Sequence, residues 1–399
     1  MITITDKKEC CGCTACISVC PVQCIDMIRD HEGFVYPKAD ADRCIGCNAC
    51  DKVCPILNPV KEEPARQYAY IVQNKDEQIR KESTSGGMFT ALANYVIDRG
   101  GIVYGAAYGQ NFNVIHTSVE SRNGLNIFRN SKYVQSNMGG VLPEIKRYLQ
   151  DGREVLFSGT PCQVEGLKAY LKREYENLIT MDIVCHAVPS PLIWQKYLEM
   201  QKAKLDKEFE NVLFREKHFG YQYSTMTIRN KSGRDVYVNG IDTDPMLRAF
   251  FSNICDRPSC YDCRFKKRYR VSDMTVWDCY PVYKFDPKLD DDKGTSRVLI
   301  QSEKGMNVFR EVQNQLRIHE VEPDQLVDGV KEMFHSVPMN ENRDQFFTDA
   351  NQMSGEELFR KYFPITFRTR TEKAVRRILY KTGIYSTAKR TAKKILRKE

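Results

Sequence analysis

The stretch KKECCGCTACISVCPVQCI, residues 7–25, places six cysteines in nineteen positions. Cys10, Cys13, Cys16 and Cys20 follow C-x2-C-x2-C-x3-C with Pro21 next, and Cys44, Cys47, Cys50 and Cys54 repeat that spacing with Pro55 next. Three thiolates at successive two-residue gaps suit a tight loop presenting them to one four-iron cube. The fourth, at the head of the following short helix, points toward a second cube. Zinc sites instead pair two C-x-x-C units across a longer spacer. The N-terminus, MITITDKKECC, has no basic region followed by an apolar stretch, so a cytoplasmic location is expected. Sixteen cysteines in a reducing compartment then point to metal ligation rather than disulfides.

The repeated run resembles bacterial-type ferredoxins carrying two [4Fe-4S] clusters. That resemblance implies one cluster held by Cys10, Cys13, Cys16 and Cys54, and another held by Cys44, Cys47, Cys50 and Cys20. Gly12 and Gly46 fall where the backbone must approach the sulfurs closely. Cys11 and Cys24 lie outside the spacing and read as small packing residues. Between the motifs, IDMIRDHEGFVYPKAD (residues 25–40) reads as a hairpin joining two pseudo-symmetric halves. An α+β ferredoxin-like module is therefore expected over residues 1–60, closed by the proline-containing linker Pro55 to Ala65.

Beyond the linker, strands alternate with helices, the grammar of an α/β domain. KESTSGG leads into a helix with apolar residues Met88, Phe89, Leu92, Tyr95 and Val96, and Ser83, Thr84 or Ser85 is expected to cap it. IVYGAAY, REVLFSG and LITMDIVCH read as strands, with helices near GVLPEIKRYLQDG and QVEGLKAYLKR. From about Phe209 the pattern becomes mixed: YSTMTIRNKSGRDVYVNG reads as an antiparallel hairpin, SDMTVWDCY and SRVLIQSEKG as strands, and a helix follows Gly305. The expected organisation is residues 66–150 and 151–320 as the two parts of one α/β domain, mixed toward its C-terminal side. A helical basic tail occupies 340–399.

STSGGMFTAL, SKYVQS, SGTPCQVEGLKAYL, IVCHAVPSP, RPSCYDCRFKKRYRVSD and DDDKGTS together resemble the beta-subunit family of coenzyme F-420 hydrogenases and dehydrogenases. The resemblance, counting the ferredoxin motifs, spans about Asp6 to Phe309. It implies an iron–sulfur flavoprotein in which FAD exchanges electrons with clusters and hydride with an organic partner. A helix start rich in Ser and Gly is suited to an anion, so Ser85, Gly86 and Gly87 are the expected seat of the FAD pyrophosphate. Lys132, Tyr133, Gln135 and Ser136 are expected to line the flavin. Cys162, Cys185, Cys260 and Cys263 are candidates for a third [4Fe-4S] cluster, because loops at the carboxyl ends of parallel strands converge; Cys255 and Cys279 are alternatives. His186 is the candidate proton-handling residue. Two departures touch the substrate side: the family's Cys-His-Gly reads Cys185-His186-Ala187, and its S-D-I-T-x-G-D-F-W-G segment reads SDMTVWDCYPV.

The chain has 399 residues and a net charge of +8, of which +10 lies between Arg368 and Glu399. Apolar stripes at Ala374, Val375, Ile378 and Leu379, and at Ala388, Ala392, Ile395 and Leu396, face Lys and Arg. Such helices suit an anionic membrane surface. Little aromatic interleaving accompanies the charge, which argues against nucleic acid. Arg264, Lys266, Lys267, Arg268 and Arg270 form a second basic run, read as a binding patch for an acidic substrate or an acidic electron partner, or as a solvated surface. The expected partner is a soluble electron carrier or a redox protein. Two rival readings stand beside the flavin oxidoreductase: a non-catalytic electron-transfer subunit, and a redox enzyme of surface-polysaccharide assembly, the latter implied by resemblance.

Overall fold

Backbone conformation repeats wherever the cysteine spacing repeats. Gly12 and Gly46 take φ of +76° and +68°, and Thr14 and Asn48, two residues later, take 65° and 55°. Each pair of left-handed residues curls its loop around a common centre and opens a short helix, α1 (Ala15–Val19) or α2 (Ala49–Lys52). Between the helices, β1 (Ile25–Arg29) and β2 (Val35–Ala39) form the expected antiparallel hairpin. The computed structural model describes residues 1–205, 209–382, 384 and 385.

The main body follows in order β3 (Tyr68–Asn74), α3 (Glu77–Glu82), α4 (Met88–Ile97), β4 (Ile102–Tyr108), β5 (Val114–Val119), α5 (Val141–Gln150), β6 (Val155–Gly159), α6 (Pro161–Leu171), β7 (Leu178–Ile183) and α7 (Pro191–Leu205). Next come β8 (Phe209–Glu216), β9 (Thr225–Asn230), β10 (Asp235–Gly240), α8 (Pro245–Phe251), β11 (Met274–Asp278), β12 (Ser296–Ile300), α9 (Glu303–Val312) and β13 (Leu316–Val321). The chain then runs helically through α10 (Pro323–Val327), α11 (Lys331–Phe334), α12 (Arg343–Gln352), α13 (Gly355–Tyr362) and α14 (Phe367–Lys381).

Eight strands make one mixed sheet in the order β13-β3-β12-β11-β7-β6-β4-β5. Its centre, β4-β6-β7-β11, is parallel, and both flanks are antiparallel. Alternation along the parallel strands explains the two cores. Ile102, Tyr104, Val155, Phe157 and Leu178 face α5, α6 and the ferredoxin-like module. Val103, Leu156 and Ile179 face α4 and α9 on the other side. A separate sheet, β10-β9-β8, packs with α7, α8, α12 and α13 around Trp194, Phe214, Phe346 and Phe347.

Some local expectations need correction. Helix α4 starts at Gly87, in the left-handed region and without a side-chain cap, whereas Ser83 closes α3. Helix α9 begins at Glu303, before Gly305, because the Ser302 side chain accepts from the Gly305 N–H and fixes the first turn. The basic tail is not one element: α12 and α13 bury Phe346, Phe347, Leu358 and Phe359 in the body, and α14 buries none of its described residues but lies against the body through Lys373, Arg376 and Tyr380. The stripe at Ala388, Ala392, Ile395 and Leu396 lies outside the described residues.

Candidate functional site

The front module is built into the body. Helix α6 carries Gly166 where a Cβ would lie 2.5 Å from Cys13 Cβ and 2.8 Å from its Sγ, so only hydrogen permits the approach. Gly33, at the hairpin turn, meets Leu192 of α7 in the same way. Glu32 receives a bidentate pair from Arg343 of α12, at 2.9 and 2.7 Å, with both side chains buried. The Ser190 hydroxyl donates to the Glu32 carbonyl, and Arg264 donates to the Ile56 carbonyl at 2.8 Å.

Within the module the cysteines sort into two groups. Cys20, Cys44, Cys47 and Cys50 line one cavity, shared with Cys24 and Met1, and Cys47 is exposed. This outer group accepts backbone N–H bonds at sulfur, from Ile2 to Cys50 (3.3 Å) and from Cys24 to Cys20 (3.4 Å). Cys10, Cys13, Cys16 and Cys54 form the inner group, against the body. Burial, then the proximity of Cys10 and Cys54, pushes the Cys16 thiol up to about 12. Burial also raises Cys54, with Cys10 contributing.

A third group lies in the body. Cys162, at the start of α6 after β6, Cys185, just after β7, and Cys260 with Cys263, between α8 and β11, line one half-buried cavity. His186, Lys266, Arg270 and Cys11 complete its wall. Burial lifts the Cys185 thiol to about 12 and raises Cys260 and Cys263 too. Such thiols stay protonated until a metal takes them as thiolates, so loading this site releases protons. Four thiols ringing a cavity fit a cube with separated corners. Among the described residues, no three His, Cys, Asp or Glu side chains converge as a single zinc ion requires.

Cys11 is buried, as its position outside the spacing suggested, yet it is not mere filler. It packs with Cys162 in one core and lines the same cavity, so one residue between two inner-group ligands forms part of the wall of the body cavity. Its signal in the sequence was the Cys10-Cys11 doublet: adjacent side chains point to opposite sides, so one can face its own cluster only if the other faces away. Cys255 and Cys279, the alternative ligands, are fully buried in separate apolar cores and do not line the cavity.

His186 stands at the cavity wall, its Nε2–H donating to Asn253 Oδ1 at 2.8 Å and its ring edge-on to Phe250. Burial lowers its pKa and favours the neutral ring. The start of α6 is held by a capping box and a buried network. Gln163 Nε2 donates to Ser136 Oγ (2.9 Å), and Ser136 pairs with His116 Nδ1 (2.8 Å), whose Nε2–H donates to the Ser158 carbonyl (3.1 Å).

The seven residues expected at a flavin adjoin one another, with Ser131 N–H donating to Thr84 Oγ1 at 2.8 Å, but they are spent inside the protein. Ser85 Oγ pairs with Ser296 Oγ (2.8 Å), and Gly86 N–H donates to that same hydroxyl (2.8 Å). A Cβ on Gly86 would fall 2.4 Å from the Val72 carbonyl, so this glycine serves sheet packing. The Gly87 carbonyl accepts from Asn74. Lys132 Nζ donates to the Ile127 and Arg129 carbonyls, and burial lowers it to about 7. The Tyr133 hydroxyl accepts from Arg215, and its ring stacks on Phe250 at 4.6 Å. Gln135 accepts from Arg257, and Ser136 belongs to the His116 network. As arranged here, these groups do not fit a flavin.

Nor is the basic run a docking patch or a solvated face. Lys266 donates to the carbonyls of Cys185, His186 and Glu332, Lys267 pairs with Glu165 at 2.8 Å, Arg268 pairs with Asp324, and Arg270 meets buried Asp182 at 3.2 Å. These cations staple the loop that carries Cys260 and Cys263.

Residues 152–325 match the family model for the C-terminus of the coenzyme F420 hydrogenase/dehydrogenase beta subunit, and residues 9–57 match the 4Fe-4S dicluster domain. The body of this chain carries that family's C-terminal region. Its front is an iron–sulfur dicluster domain, so the chain carries iron–sulfur clusters and is oxidoreductase-like. Among solved structures, the F420-reducing [NiFe] hydrogenase complex from Methanosarcina barkeri is similar at 16% identity and a TM-score of 0.45, over 76% of this chain and 94% of that one. No curated protein matches significantly. Among the described residues, no helix is long and apolar enough to cross a membrane.

Proposed function

We propose that this chain is an electron-transfer oxidoreductase subunit with three [4Fe-4S] sites in series. The outer site is Cys20, Cys44, Cys47 and Cys50; the inner is Cys10, Cys13, Cys16 and Cys54; the third is Cys162, Cys185, Cys260 and Cys263. Bound there, cubane clusters would supply one-electron transfer. One observation carries the reading: Cys11, flanked by the inner group, lines the same cavity as the four cysteines of the third group. Exposed Cys47 gives the outer site access to a soluble carrier or redox partner. The third site is half-buried, with Cys260 the most enclosed of its thiols, and the staples through Lys266 and Arg270 hold its loop in place. His186, neutral and oriented by Asn253, can take up or return a proton at Nδ1 at that wall.

The finer expectation is a FAD beyond the third site. With the seven nominated residues engaged elsewhere, it would need other groups, and this favours the electron-transfer subunit over a self-sufficient flavin enzyme. A role in surface-polysaccharide assembly rests on resemblance alone. The test is the iron and acid-labile sulfide content of anaerobically purified protein, with flavin extraction. About twelve irons per chain, falling to about eight in C162S, supports three sites. About eight in both removes the third.

A further inference from the structure

Against the inner group lies a guanidinium that, among the described residues, forms no ion pair with a carboxylate. Arg257 is fully buried. Its Nε donates to the Cys10 carbonyl at 2.7 Å, Nη1 to Gln135 Oε1 at 2.8 Å, and Nη2 to the Val35 carbonyl at 3.0 Å and to Cys10 Sγ at 3.4 Å. Each acceptor is a carbonyl, an amide oxygen or a sulfur. The planar fork lies over the Tyr36 ring, 4.4 Å from its centroid, and 5.4 Å from that of Phe34. A buried cation is costly unless an opposite charge accompanies it. The group placed to supply that charge is Cys10, as a ligand thiolate, together with the cluster it holds.

The outer group differs. Its sulfurs receive backbone N–H donors, and the nearby Met1 ammonium is already tied to Asp51 at 3.1 Å. Net charge, hydrogen bonds to sulfur and solvent exposure set the potential of an iron–sulfur cluster, and all three differ between the two sites.

We infer that Arg257 raises the reduction potential of the inner cluster by stabilising its reduced, more negative form through Cys10, so that an electron given up by a carrier at the exposed end is drawn inward. Arg257 is thus a positioning and potential-setting residue. It acts through a ligand and a charge and touches no substrate. The inference rests on the reading that Cys10, Cys13, Cys16 and Cys54 hold a cluster.

Anaerobic full-length protein, R257M, R257K and Q135E are titrated reductively and followed by electron paramagnetic resonance, with iron measured on the same samples. R257M is expected to lower one midpoint potential by about tenfold in the one-electron equilibrium, about 59 mV, and to leave the others in place. R257K keeps the charge and regains most of that loss. Q135E sets a carboxylate against the guanidinium at nearly unchanged volume and lowers the same midpoint, so it decides the matter should R257M lose iron. A variant with full iron and every midpoint unchanged overturns this inference alone. Unsubstituted protein lacking the inner signal overturns the site assignment as well.

Discussion

Substituting Gly166 by alanine tests whether the module and the body are locked at the contact between inner and third groups. The added methyl would sit 2.5 Å from Cys13 Cβ, about 1 Å inside the roughly 3.5 Å at which two carbons rest comfortably. Helix α6 cannot easily give way, because its capping box, the Ser136–His116 network and the packing of Val164 and Leu167 hold it against the sheet. The displacement therefore falls on the loop from Cys10 to Cys16. Overpacking of this kind costs about 1–3 kcal/mol, which for a chain of this size lowers the melting temperature by only a few degrees. The larger effect is on metal: moving Cys13 by that distance spoils one corner of the inner site, and about four of about twelve irons should be lost. Calorimetry together with iron and sulfide assays on anaerobic G166A gives both readouts. Unchanged melting and full iron would refute the reasoning, since the module could then slide on α6 without consequence.

Other outcomes follow from the same geometry. Buried His116 is held at about 4 by desolvation, below its unfolded value, so the unfolded chain binds more protons between about pH 4 and 6.5 and stability falls as pH drops through that window. The loss is on the order of 3 kcal/mol, and H116N should show a correspondingly flatter melting-temperature profile between pH 4 and 7. E32Q leaves Arg343 buried without its carboxylate and should destabilise by about 3–5 kcal/mol, seen as a lower denaturant midpoint; no change would mean that the module does not depend on α12. Helix α14 exposes Phe367 (85%) and Ile378 (61%) while Lys373 and Arg376 bind Asn239 and Asp242 of the body. Full-length protein is therefore expected to float with anionic vesicles and a chain lacking 368–399 to stay behind, whereas equal flotation would dismiss the tail as a lipid anchor.

What was legible in the sequence was local. Cysteine spacing predicted both ligand loops, with Gly12 and Gly46 in them, because a repeated ligand geometry demands a repeated backbone. Period-two strands and the helix patterns at α5 and α6 emerged because core faces impose them on contiguous residues. The misread positions are those whose partners lie far along the chain. Gly86 looked like a phosphate cradle, yet its neighbour Ser296 is 210 residues away. The run from Arg264 to Arg270 looked like a docking surface until the carbonyls of Cys185, His186 and Glu332 were beside it. Arg257, 247 residues from Cys10, stands in the motif RPSC without any local mark of its role. Cys11 carried a faint mark, the doublet, whose meaning required knowing what stood behind it.

One wall of the body's sulfur-lined chamber belongs to a different module, since Cys11 closes what Cys162, Cys185, Cys260 and Cys263 leave open. Exchanging residues 1–60 for another dicluster protein would therefore breach the chamber, not merely swap one wire for another. On the proposed reading, the same seam would border both the electron path and the third cluster, and a graft that alters it should yield a protein that bleaches faster in air.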